Sequence, residues 1–108
     1  MTDRFGLTQR ERDTILTVLQ NYANRIEQVS VFGSRAQGKQ KHHSDLDLVV
    51  YGDTDEALFD RLWTLFQESS LPFSVDVKSY VNTTYPPLRQ HIDTVACPLL
   101  IKQGQVFV

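Results

Sequence analysis

The sequence predicts an α/β (α+β) fold, a small mixed β-sheet with helices packed on one face and the other face left partly open. Three observations carry that expectation. The hydrophobic periodicity along the chain runs helix, strand, corner, strand, helix, strand, helix. Two strand-like runs, DLDLVVY (45–51) and FSVDVKSY (73–80), alternate so that each places an aspartate on the side away from its core residues. The composition, 41% hydrophobic and 22% charged over 108 residues, is that of an ordinary packed protein, which at this length buries roughly 65% of its unfolded surface. One domain spanning residues 1–108 is expected.

The elements follow in order. Thr8 and Glu11 have the spacing of a capping box, so a helix starts there. Ile15, Val18, Leu19 and Tyr22, flanked by Leu16 and Ala23, form its apolar stripe and predict a helix over 9–24. IEQVSVF (26–32), rich in β-branched and aromatic residues and ending at Gly33, predicts a strand and a tight turn, with Ser34 opening a short helical or looped segment to Gly38. In the run 45–51, Leu46, Leu48 and Val50 point to the core, and Asp45, Asp47, Val49 and Tyr51 point away. Thr54 is a candidate cap for a helix through residue 68, with Asp55 and Glu56 in its first turn and Leu58, Leu62, Leu65 and Phe66 on its stripe. Phe59 and Trp63 are expected to support that stripe as core. In the third strand, Phe73, Val75 and Val77 face one side, and Ser74, Asp76 and Lys78 the other. PPLRQHIDTVA (86–96) suits a short helix that Pro98 stops, and LLIK and QVFV around Gly104 suit short strands in a hairpin.

Composition excludes several classes of function. A net charge of −2 and a pI of about 5.8 leave no global basic field to draw the molecule onto nucleic acid or an anionic membrane, so any phosphate binding is local. The single cysteine, Cys97, rules out an intrachain disulfide framework, suits a reducing compartment and is expected in the core. The start, MTDRFGLTQRERD, has no apolar signal-peptide core, and no window approaches a membrane span. The chain reads as cytoplasmic.

Chemistry enters through the aspartates and the corner. Asp45 and Asp47, two residues apart on one strand, project from the same face with Cα atoms about 6.5 to 7 Å apart. Hard carboxylate oxygens suit Mg²⁺, which is bound by one or two carboxylates together with substrate phosphates. Asp76 supplies a third ligand if the strands are neighbours, as a two-metal site requires. The alternative is that each aspartate only keeps an open face soluble. Against it, aspartate is disfavoured in strands, and grouped carboxylates repel unless a cation is present. Gly33 lets a phosphate approach the backbone, and the amides that follow, with the Ser34 hydroxyl, can donate to its oxygens. Arg35, Lys39 and Lys41 surround the corner. Arg35 is the best candidate to touch phosphate because it adjoins Ser34, and a solvated basic loop is the alternative. His42 and His43 are adjacent and point apart on an extended chain, which argues against a shared metal, and His91 has no metal-ligand partner on its helix.

Gly33-Ser34, ten residues, then Asp45-Leu46-Asp47, framed by hydrophobic strands, resembles the signature of the DNA polymerase beta-like nucleotidyltransferase superfamily. FGSRAQGKQKHHSDLDLVV is most similar to its minimal nucleotidyltransferase (MNT) family, and Asp76 in SVDVK lies where that family has its third carboxylate. The resemblance covers roughly residues 8–100. It implies a polymerase beta-like fold in which Gly33 and Ser34 hold the triphosphate of ATP, with Arg35 the neighbouring candidate from its place beside Ser34. It also implies that Asp45, Asp47 and Asp76 form the catalytic and Mg²⁺-binding set, with Asp76 helping to activate the attacking hydroxyl. The implied reaction transfers AMP from ATP to a hydroxyl and releases pyrophosphate.

Almost every residue is taken up by the sheet and its helices, so the acceptor is expected on another chain. That agrees with what the resemblance implies: MNT proteins act as antitoxins of HEPN-domain ribonuclease toxins and can adenylylate a toxin tyrosine. A binding-only antitoxin with a vestigial nucleotide site, and a small-molecule nucleotidyltransferase of the aminoglycoside type, are the alternatives.

Overall fold

The computed structural model describes residues 2–41, 43–103, 106 and 107, with side chains through residue 101. The chain runs α1 (Gln9–Gln20), β1 (Ile26–Phe32), α2 (Gly33–Ala36), β2 (Leu46–Gly52), α3 (Glu56–Gln67), β3 (Val75–Ser79), α4 (Pro86–Val95), β4 (Cys97–Gln103) and β5 (Val106–Phe107). The sheet order is β3-β2-β1-β4-β5. β2 and β3 are parallel, joined by the α3 crossover, and the other pairs are antiparallel. The sheet is mixed, as expected.

The capping box forms: Thr8 Oγ1 accepts from the Glu11 amide at 3.1 Å, and Glu11 Oε1 accepts from the Thr8 amide at 2.9 Å. α1 stops at Gln20, four residues short of the expectation. The amides of Tyr22 and Arg25 donate to Leu19 and Tyr22 carbonyls three residues back, tightening the chain into a turn that delivers Ile26 to β1. Asp55, not Thr54, caps α3, its Oδ1 accepting from the Leu58 amide at 2.8 Å. The Thr54 hydroxyl instead lies 3.1 Å from Ser79 Oγ and ties the α3 entrance to the end of β3.

Leu46, Leu48 and Val50 are buried with Ile26, Val29 and Val31 in a core that α1 and α3 cover through Ile15, Leu19, Leu58, Leu62 and Phe66. Trp63 departs from the core expectation at 59% exposure, because it follows Leu62 by one helical step and so points off the stripe. Cys97 packs at the edge of the core but is only partly buried.

The second face is not bare. Phe32 and Val49 pack with Ile92 of α4, joined by Tyr51, Tyr80, Leu88, Val95 and Ala96. Helices therefore lie on both faces, where the sequence predicted one. α4 covers part of the acid-bearing face and leaves the start of β2 and β3 open. Pro98 lies inside β4, opposite Ser30 where the β1–β4 register shifts, a place where a missing amide donor is tolerated. β4 and β5 pair antiparallel where short strands were expected, while Gly104 lies outside the described residues.

Candidate active site

Register builds the site. Antiparallel pairing sets Phe32 opposite Asp47, and parallel pairing sets Asp47 beside Asp76. One row across three strands thus reads Phe32, Asp47, Asp76 on the second face, neighbouring strands lying about 4.8 Å apart. The next row on that face reads Ser30, Val49, Lys78. Asp45 immediately precedes β2 and is exposed, as is Asp76, while Asp47 is half-buried. Gly33, following Phe32, is level with the acidic row. Its φ is +72°, and a Cβ there would collide with the Asp47 carboxylate, so the position needs glycine for conformation and for space.

The charges in this row are unbalanced. Burial, then the charges of Asp76 and Asp45, push the Asp47 carboxyl above its ordinary range, with Lys78 and His91 pulling it back. Lys78 Nζ lies 3.6 Å from Asp76 Oδ2. The His91 ring meets Phe32 edge to face, with centroids 6.3 Å apart, which brings α4 to the site. Sequence reasoning set Lys78 on this face without a role and left His91 aside. The alternation that placed Asp76 also placed Lys78, whereas His91 has no signal until α4 is known to pack on this face.

The donor set suits Mg²⁺, being carboxylates on one face, one of which resists its own charge in the way a bound divalent cation relieves. Among the described residues, no group of three His, Cys, Asp or Glu side chains is gathered closely enough to hold an ion as it stands. The His42–His43 pair falls partly outside the described residues, since His42 is not among them.

At the corner, Ser34 is partly exposed and its carbonyl accepts from the amides of Gln37 and Lys39 at 3.2 and 2.9 Å. Lys39 and Lys41 are exposed, in keeping with a solvated basic loop. Arg35 corrects the expectation that it touches phosphate: it is only 1% exposed, and its guanidinium donates to the carbonyls of Phe5, Gly6 and Ser44. Buried and turned to those carbonyls, the guanidinium does not present itself to a ligand at the corner.

The corner and the row of carboxylates belong to a chain whose family can be assigned, the class being nucleotidyltransferases. The chain belongs to that class: the family described as Polymerase beta, Nucleotidyltransferase matches residues 13–103. Over 58 residues the chain is 43% identical to the "Probable protein adenylyltransferase MntA" of Haemophilus influenzae (strain ATCC 51907 / DSM 11121 / KW20 / Rd), an alignment covering 52% of this chain and 51% of that protein. The chain thus spans about half the length of the curated relative it matches. A chain in the crystal structure of a toxin-antitoxin with AMP-PNP superposes with a TM-score of 0.67 at 26% identity, over 85% of this chain and 74% of the other. A chain of the toxin-antitoxin MntA-HepT, at 22% identity, shares the fold with a TM-score of 0.62 over 89% and 74% of the two chains.

Proposed function

We propose that this chain is a single minimal domain over residues 1–108 that acts in the cytoplasm as an Mg²⁺-dependent adenylyltransferase and antitoxin. It transfers AMP from ATP to a tyrosine hydroxyl of a partner HEPN ribonuclease toxin and so neutralises it, without contacting nucleic acid itself. The observation that carries this reading is the row Phe32, Asp47, Asp76 with the Gly33 corner level with it. The name of the Haemophilus influenzae relative and the AMP-PNP bound in a similar toxin-antitoxin support it.

Bound Mg²⁺ supplies charge neutralisation on the phosphates and eases deprotonation of the acceptor. Asp45 and Asp47 would hold the metal ions. Gly33 admits a phosphate to the backbone, and the Ser34 hydroxyl donates to one of its oxygens. Asp76 would complete the metal site, and its carboxylate accepts the acceptor's proton as the acceptor oxygen attacks the α-phosphorus in line. The new oxygen–phosphorus bond forms as the bond to the bridging oxygen breaks, and pyrophosphate leaves.

Incubation with α-labelled ATP, Mg²⁺ and the co-purified partner tests the reading. Label on a partner tyrosine is expected. A partner that stays unlabelled across metals and nucleotides removes the enzyme and leaves a binding-only antitoxin, while transfer to a free aminoglycoside without any partner chain supports small-molecule chemistry.

A further inference from the structure

Arg35 is the largest fully buried side chain among the described residues, and it sits between the two halves of the motif. Its Nε and Nη2 donate to the Ser44 carbonyl at 3.2 and 2.8 Å. Its Nη1 donates to the carbonyls of Phe5, at 2.9 Å, and Gly6, at 3.4 Å. Its guanidinium carbon lies 4.4 Å from the centre of the Phe73 ring. Ser34 precedes it in the chain, Ser44 precedes Asp45, and Phe73 leads into β3 and Asp76. One planar group thus ties the corner to the segments that lead into Asp45, Asp47 and Asp76.

Stability alone does not call for a charge here. Removing a guanidinium from water costs several kcal/mol, and an apolar side chain of similar volume generally serves a core as well or better. What the guanidinium adds is direction, because its rigid fork fixes two donors on one carbonyl and a third on another. Ser44 is further held by its own turn, its Oγ accepting from the Lys41 amide at 2.7 Å. The ten residues between Ser34 and Asp45 are therefore pinned at both ends against one side chain.

We infer that Arg35 is a positioning residue whose buried guanidinium fixes the separation between the Gly33–Ser34 corner and Asp45, so that triphosphate and metal are bound as one unit. This deepens the nucleotidyltransferase reading and rests on it. Its signature is the coupling between ligands: metal and nucleotide each raise the other's affinity by the same factor, and that factor depends on the distance between their sites.

The experiment measures binding of Mn²⁺ and of a non-hydrolysable ATP analogue, each alone and in the presence of the other, to the full chain and to Arg35→Lys. Lysine keeps the charge without the fork. The mutual enhancement is expected to fall by about tenfold in Arg35→Lys while each ligand alone binds within about threefold of the original chain. Phe73→Leu removes the aromatic face and keeps an apolar side chain, and is expected to lower the enhancement by about threefold. It decides the matter where Arg35→Lys does not fold. A folded variant with the original enhancement overturns the inference, as does an equal loss of both single-ligand affinities, which marks a purely structural role. If the original chain binds neither ligand, it is the nucleotidyltransferase reading that fails.

Discussion

At Asp47 the fold works against its own charge, since burial and the neighbouring carboxylates of Asp76 and Asp45 all disfavour ionisation. In the proposed function a bound divalent cation relieves that unfavourable charge. Asp47→Asn is expected to leave the fold intact and lower AMP transfer on the order of a thousandfold, because the position loses the charge that holds the metal. Transfer at the original rate with normal labelling of the partner would show the metal assignment to be wrong. Asp3 is the opposite case. Partial burial pushes its carboxyl up, but the Leu7 amide, the Arg12 guanidinium and the Phe5 amide outweigh it and hold it below its ordinary value. A depressed folded value stabilises the protein above the unfolded value of about 3.8, and that contribution is lost as pH falls through the folded value. Asp3→Asn is therefore expected to cost about 1 to 2 kcal/mol at pH 7. Urea titrations should show the difference shrinking only below the unfolded value, and a difference that grows on acidification contradicts the assignment.

Among the three longer helices, α4 has the narrowest anchorage. Ile92 is its only fully buried residue, packed on Phe32 and Val49, and it sits beside His91. Ile92→Ala is expected to cost about 2 to 4 kcal/mol and to raise amide hydrogen exchange across residues 86–95 before the rest of the sheet opens. Uniform loss of protection throughout the chain would mean that α4 is part of the main cooperative unit. The same helix marks where sequence reading stops. β1 was readable to the residue, because IEQVSVF carries its own β-branched pattern and ends at a glycine. The faces of Asp47 and Asp76 were readable because alternation is a local property of each strand, whereas their meeting in one row depended on the pairing of β2 with β3. That α4 would fold back over Val49 was not, since its stripe states that it has an apolar face and not which sheet face receives it. Arg35 was misread for the same reason: its partners Phe5 and Gly6 are 30 and 29 residues away, and only tertiary structure brings those carbonyls to it. Trp63 was misread by counting hydrophobicity without angle around the helix.

For the molecule as a whole, the proposed metal and nucleotide binding would appear as stability, because the candidate site is assembled from β1, β2 and β3 and exists only in the folded chain. A ligand that binds the native state alone stabilises it by about 2.7 kcal/mol at a hundred times its dissociation constant. For a chain of this size that corresponds to a rise in melting temperature on the order of 10 °C. Mg²⁺ with a non-hydrolysable ATP analogue is expected to produce that rise, EDTA to reverse it, and Asp47→Asn to abolish most of it. Scanning calorimetry on the isolated chain reads this without any partner, so it separates occupation of the site from the identity of the acceptor. A melting temperature indifferent to metal and nucleotide together would leave the acidic row as a soluble face and return the chain to binding alone. A full rise with no labelling of any partner would keep the nucleotide site and discard the tyrosine acceptor.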